Sequence, residues 1–413
     1  MTQSLVPSIR FATSLPRDPS LQENLLRAWQ RLEQTPPPFA QILTDPSIWA
    51  TAREFGHKAR VSYQHMVIIG SGGSSIGTQV IYDSCKFKVD ASKKLHFLDN
   101  VDPHQTAEVF GQIDVKKTLF LTVSKSGKTM ETLSSLSACI DLLKKNQLIP
   151  KDHIWVVTDP NNNPLGRWAS ENSLTTLAIP EIGGRFSVLT AVGLVPAVFL
   201  GLDLAHFEKG ARAFDKDFVL QFSEQALKSF ERQEWITFFW CYSWRLKSLG
   251  LWLNQLWAES LAKSADRKNK APSRVSSPFW ALGTQDQHSL LQQVMEGTKD
   301  KFVVFIRLLE AEQSPLFSVQ HAMTPMEYLN GKAIGKVLAA EAQATEQALV
   351  QNQISTARIE IQTFDEATLA TLFMNFQWVI ALLAEHLNLN AYDQPGVELG
   401  KNIARELLQN GAD

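Results

Sequence analysis

The sequence predicts an α/β protein of two three-layer α/β/α domains, each around a central, mostly parallel sheet, with helical segments at both ends. Three observations predict it. Short apolar runs alternate with helix-length segments over most of the 413 residues. The runs are near-continuously apolar, the pattern of parallel strands covered on both faces. The chain is also too long for one ordinary domain. The expected division is an N-terminal helical segment (1–45), two sheet domains (46–205 and 206–390) and a C-terminal loop and helix (391–413).

Residues 1–45 read as helical with a break: apolar residues recur at helical spacing over 21–32, and Pro36-Pro37-Pro38 ends the run. Buried strands follow at 66–69, 95–98, 118–123 and 154–157. The apolar stretch 186–202 is near the lower length limit for a bilayer span, but Gly193 and Pro196 interrupt it and a buried helix is the better reading. Residues 235–257 are rich in tryptophan at mixed spacings, which reads as core or interface. The polar, basic stretch 263–278 reads as a surface loop. Strands are expected at 302–306 and 357–361, a long helix at 366–387 and a final one at 400–408.

Composition narrows the function. Apolar residues make up 44% and charged residues 20%, globular values with a net charge of −2. Nothing global steers the chain toward nucleic acid or an anionic membrane, so an anionic ligand needs a local site. Cys85, Cys139 and Cys241 are far apart, which fits a reducing compartment, and residues 1–10 lack the pattern of a signal peptide. The nine histidines form no HxxxH or HExxH spacing, so no metal is expected.

Several segments carry chemistry. Gly70-Ser71-Gly72-Gly73-Ser74-Ser75-Ile76-Gly77 directly follows a strand, where glycines allow close approach and a helix start aims N–H groups at an anion. Alone it also fits a structural turn or a dinucleotide fold; the latter wants glycine where Ser75 stands, with Asp99 as the ribose acid. Ser124-Lys125-Ser126-Gly127-Lys128-Thr129 also follows a strand. It clusters hydroxyls, amides and lysines that suit a terminal phosphate, although a bland helix cap has the same residues. Gly183-Gly184-Arg185-Phe186-Ser187 brings an arginine to a helix start, or is an ordinary turn with a solvated arginine. Glu259, in Trp257-Ala258-Glu259-Ser260-Leu261-Ala262-Lys263, is a candidate base or a helix-surface acid. His288 lies in Gly283-Thr284-Gln285-Asp286-Gln287-His288-Ser289, and Lys401 in Gln394-Pro395-Gly396-Val397-Glu398-Leu399-Gly400-Lys401.

In this order, and from residue 70 to residue 401, these segments resemble the glucose-6-phosphate isomerase family, built on paired sugar-isomerase domains. The resemblance implies that Gly73 and Ser74 approach the sugar and that Ser124, Lys125, Ser126 and Thr129 hold the 6-phosphate. It implies that Glu259 moves a proton between C1 and C2 and that Arg185 stabilises the enediolate. His288 and Lys401 then open the sugar ring, and Gln394 lies near the substrate. It further implies a cytoplasmic homodimer in which His288 enters from the partner subunit, without cofactor, nucleic-acid or membrane partner. Three positions depart from the family: Lys128 replaces a small residue, Ala262 a glycine and Pro395 a tryptophan. Other readings are an isomerase that also takes mannose 6-phosphate and a non-catalytic sugar-phosphate sensor.

Overall fold

The structure is a computed structural model that describes residues 9–13, 15–160 and 163–411. The first strand among the described residues is β1 (Ile9–Thr13); a sheet then forms from β2 (His65–Ile69), β3 (Lys94–Leu98), β4 (Thr118–Val123), β5 (Ile154–Thr158) and β6 (Thr175–Ala178). That sheet is wholly parallel, in the order β3-β2-β4-β5-β6. A second sheet takes β7 (Ile236–Tyr242), β8 (Ser277–Leu282), β9 (Lys301–Leu308) and β10 (Ser355–Ile361), in the order β1-β10-β9-β7-β8. It is parallel except for β1, which pairs antiparallel to β10 with Ile9 opposite Ile361.

The strands expected at 66–69, 95–98, 118–123, 154–157, 302–306 and 357–361 fall within β2, β3, β4, β5, β9 and β10. β2, β4, β5 and β9 are buried at every position, which explains the mainly apolar runs within them. The N-terminal stretch differs from expectation. A helix does run over Pro19–Gln34, capped by Asp18, but Ile9–Thr13 is an edge strand with alternating burial, and period two wins over helical spacing there. Expected features within residues 1–8 lie outside the described residues.

Two helices account for the most apolar text. Ala191–Phe199, within the 186–202 stretch, is buried at all nine positions and packs on the helices Pro46–Ser62 and Ile76–Cys85. Glu366–His386 is long and apolar enough to cross a bilayer, yet 94% of its most apolar window is buried inside the protein. It is a core helix, packed among Pro19–Gln34, Leu204–Arg212, Lys216–Glu231 and Lys247–Leu261.

The strand order positions the site. From β2 the chain crosses to β3 on one side and then to β4 on the other. The loops that leave the C-terminal ends of β2 and β4 therefore diverge at a topological switch point, where open α/β sheets bind ligands. The helix Lys247–Leu261 packs against both the helix Ile76–Cys85 and the strand β8, and so brings the second sheet's residues to that crevice.

Candidate active site

The glycine loop turns sharply as it leaves β2. Gly72 has φ +59, and residues Gly72–Ser74 form a single 3₁₀ turn before the helix Ile76–Cys85. Gly73 lies directly against the second glycine turn: a Cβ there would come within 2.4 Å of the Gly184 carbonyl carbon and 2.5 Å of the Arg185 nitrogen. Only a residue without a side chain permits that approach. Asp99, the candidate ribose acid of the dinucleotide reading, instead accepts a hydrogen bond from Gln105 Nε2 at 2.8 Å.

The loop after β4 is shaped the same way. Gly127 has φ +61, Ser124 and Thr129 share a hydroxyl hydrogen bond of 2.9 Å, and the Lys128 amide donates to Ser126 Oγ at 3.2 Å. Thr129 is the N-cap of the helix Met130–Lys145, but its side chain bonds Ser124 and not the helix. The first-turn amides of that helix thus receive no bond from the N-cap side chain, at the positive end of the helix dipole. Lys125 is half-buried beside them, whereas Lys128 is exposed.

Arg185 is the centre of the second cluster. It is 3% exposed, and all five of its N–H groups have acceptors. Nε donates to Ser260 Oγ at 2.8 Å; Nη1 donates to Glu259 Oε2 at 3.0 Å and to Gln394 Oε1 at 3.1 Å. Nη2 donates to the carbonyls of Ala391 and Asp393. Burial pulls the guanidinium below its usual value, and the adjacent Glu259 carboxylate opposes that shift. The other Glu259 oxygen, Oε1, accepts from Gln255 Nε2 at 3.2 Å. Gln255 in turn lies over Gly72, so the base candidate is held between the two glycine turns. Ala262, the C-cap of this helix, has φ −75 and ψ 97, a conformation open to any L-residue, so the helix ends without a glycine.

Gly73, Arg185, Glu259 and Gln394 are therefore joined by direct contact, and Ser124 and Thr129 sit in the neighbouring loop. Ser74 is half-buried in the glycine turn. His288 and Lys401 stand apart from this cluster. His288 is exposed on the turn Gln285–His288, whose neighbours are anchored: Asp286 accepts from the Leu282 amide and Gln287 donates to Tyr242 and Thr345. Lys401 pairs at 2.8 Å with Glu398 on the helix Glu398–Gln409, which buries none of its residues. Sequence reasoning missed Gln255, Ser260 and the carbonyls of residues 391 and 393. Only Gln255 left a signal, its i,i+4 spacing from Glu259.

A family model described as phosphoglucose isomerase matches residues 50–413. A glucose-6-phosphate isomerase of Thermus thermophilus is 34% identical over 359 residues, covering 84% of this chain and 84% of that protein. The glucose-6-phosphate isomerase of Campylobacter jejuni is 30% identical over 354 residues, covering 84% and 86%. Among solved structures, a hypothetical protein from Thermus thermophilus superposes with a TM-score of 0.81 at 31% identity, covering 94% of this chain and 95% of that one. A glucose-6-phosphate isomerase from Chlamydia trachomatis gives 0.85 at 22% identity, covering 97% and 88%, a likeness of fold.

Proposed function

The chain belongs to the phosphoglucose isomerase family and is an intramolecular aldose–ketose isomerase of glucose 6-phosphate and fructose 6-phosphate; we propose that Glu259 is its base and Arg185 its enediolate stabiliser. The observation that carries this reading is the Arg185–Glu259 contact of 3.0 Å at a site walled by two glycine turns. Such a pair matches the charge flow of the reaction. Glu259 takes the proton from C2 of the open aldose, and the electron pair left behind makes the C1–C2 double bond and a negative O1. The carboxylate is then neutral, so Oε2 no longer holds Nη1 as a charged acceptor. The guanidinium can follow the negative charge from carboxylate to enediolate, and its stabilisation grows as the transition state is approached. A proton then passes from O2 to O1, which moves the negative charge to O2, and Glu259 returns its proton to C1 as the C2–O2 double bond forms, giving the ketose.

The remaining roles rest on the loops. Ser124, Lys125, Ser126 and Thr129, with the amides that open the helix Met130–Lys145, hold the 6-phosphate and orient the reacting carbons. Gly73 and Ser74 line the sugar side and Gln394 the mouth. Ring opening falls to His288 and Lys401. Their exposure supports a homodimer in which the partner subunit supplies His288. So does the apolar face of the C-terminal helix, where Leu399, Ile403, Leu407 and Leu408 are exposed. Three unpaired, buried thiols support a cytoplasmic location.

A coupled assay tests the activity: fructose 6-phosphate is supplied and glucose 6-phosphate is read by its dehydrogenase, with and without chelator. Turnover indifferent to chelator is expected, and no turnover refutes the reading. Mixed chains test the dimer. Glu259→Gln and His288→Ala subunits, each inactive alone, regain activity when they form mixed dimers; mixed dimers without activity refute a shared site.

A further inference from the structure

Lys263 lies four residues after Glu259, just past the helix Lys247–Leu261, and looks, in sequence, like an ordinary solvated cation. Its side chain is only 5% exposed. An ammonium has three N–H groups, and three acceptors surround this one: the Glu259 carbonyl at 2.9 Å, the Asp393 carbonyl, and Asp393 Oδ1 at 2.9 Å. The Glu259 carbonyl is among the last four of its helix, which have no intrahelical partner, and a cation there also suits the negative end of the helix dipole. The Asp393 carbonyl is the same one that Arg185 Nη2 holds from the other side at 3.0 Å. Asn390 Nδ2 fixes the second carboxylate oxygen of Asp393 at 2.8 Å.

We infer that Lys263 is a positioning residue for the isomerisation, which locks the segment carrying Asp393 and Gln394 onto the backbone of Glu259 itself. The segment is thereby tied to the base twice: through the Arg185 guanidinium to the Glu259 side chain, and through the Lys263 ammonium to the Glu259 main chain. Arg185 holds the segment at Gln394 Oε1 and at the Ala391 and Asp393 carbonyls but reaches Glu259 only through its flexible side chain. The Lys263 tie fixes the same segment to the Glu259 backbone, so the carboxylate, the guanidinium and Gln394 share one frame. A misplacement of about 1 Å at a reacting centre lowers turnover by about 100-fold. The cation does not touch the substrate in this arrangement, since its three donors are engaged. The inference rests on the assignment of Glu259 as base.

The test is Lys263→Met, which keeps the aliphatic stem and removes the donors. We expect kcat to fall by at least about tenfold while KM for fructose 6-phosphate stays within about threefold, the signature of lost geometry and not of lost ground-state binding. Lys263→Cys, alkylated with 2-bromoethylamine, rebuilds an ammonium of nearly the same length. The three native thiols are buried, and intact mass confirms that one aminoethyl group is added at position 263. Alkylation is expected to return kcat to within about threefold of the parent; because the methionine variant keeps the aliphatic stem, a loss there together with this rescue assigns the effect to the N–H donors and not to packing. Parental kcat in the methionine variant overturns the inference, and so does a loss that alkylation fails to repair. Should neither variant fold, Asp393→Ala serves, because its side chain is 52% exposed. A several-fold loss of kcat at unchanged KM supports the tie, and parental kinetics overturn it. If the parent turns over and Glu259→Gln does not, failure of the Lys263 variants removes this inference alone. A parent without isomerase activity removes the underlying assignment as well.

Discussion

Glu259→Gln separates chemistry from folding unusually well in this site. The substitution keeps the shape of the side chain and removes its charge and its ability to take a proton. On the Arg185 side the amide oxygen still accepts from Nη1, so the geometry at 3.0 Å survives with a weaker, singly charged hydrogen bond. On the other side the new amide nitrogen faces Gln255 Nε2, donor against donor, where a 3.2 Å bond stood. Gln255 Oε1 has no partner among the described residues, so a flip of the Gln255 amide restores a donor–acceptor pair. The Glu259 side chain is 35% exposed, which screens the lost ion pair; the net cost is about 1 kcal/mol, well below that of breaking a fully buried pair. Loss of a general base costs about 10³-fold, or about 4 kcal/mol of barrier. The expected result is therefore a folded protein that melts within a few degrees of the parent and binds a reduced, unreactive alditol 6-phosphate with similar affinity. In the dehydrogenase-coupled assay its kcat is about 10³ lower. A variant that keeps more than about a tenth of parental kcat refutes the assignment of the base. A variant that loses ligand binding along with turnover refutes the flip and the preserved geometry.

Three further outcomes follow from the geometry. Gly73→Ala pushes a methyl group to 2.4 Å from the Gly184 carbonyl carbon, so the two glycine turns separate and both the melting temperature and kcat fall; unchanged values would mean that the turns do not touch. Thr129→Val removes the hydroxyl that pairs with Ser124 at 2.9 Å and is expected to raise KM about tenfold with kcat nearly unchanged, whereas an unchanged KM argues against a phosphate role for this loop. His65 Nδ1 and His96 Nε2 lie 3.1 Å apart, and burial pulls both imidazoles below their usual value of 6.5, reinforced by Lys94 at both rings and opposed by Asp114 at His65 and Gln112 at His96. The unfolded chain therefore takes up protons first as pH falls, and the stability contributed by neutral imidazoles above 6.5 is lost as pH drops toward the folded values. Melting temperatures followed from about pH 7.5 to 5.5 should fall more steeply in the parent than in His65→Phe, and equal slopes would dismiss the pair as a source of acid sensitivity.

What the sequence made legible follows from how local each signal is. β2, β4, β5 and β9 are covered on both faces, so their text is mainly apolar, with His65, Lys301 and Arg307 near strand ends, and stands out from the helices between them. β1 and β6 lie at sheet edges, where half the side chains meet solvent and five or four residues are too few to establish a period. β7 is submerged in an aromatic-rich stretch because its neighbours, the turn Trp244–Leu246 and the helix Lys247–Leu261, carry further tryptophans and leucines close behind it.

The site divides along the same line. Glycines and hydroxyls that shape an anion loop must sit within a few residues of each other, as Ser124 and Thr129 do, and such a loop can be read as text. The partners of Arg185 cannot: they lie 74 to 209 positions away in the chain, on a helix from one sheet and a loop that follows the core helix. Lys263 shows why this matters for function. Four residues after a glutamate on a helix, a lysine reads as one half of a surface ion pair, worth a few tenths of a kcal/mol. Its partners here are instead the glutamate's own carbonyl and an aspartate 130 positions further on. Only the return of that loop converts a surface cation into a buried tether, so the residues that hold Glu259 in place are less visible in sequence than Glu259 itself.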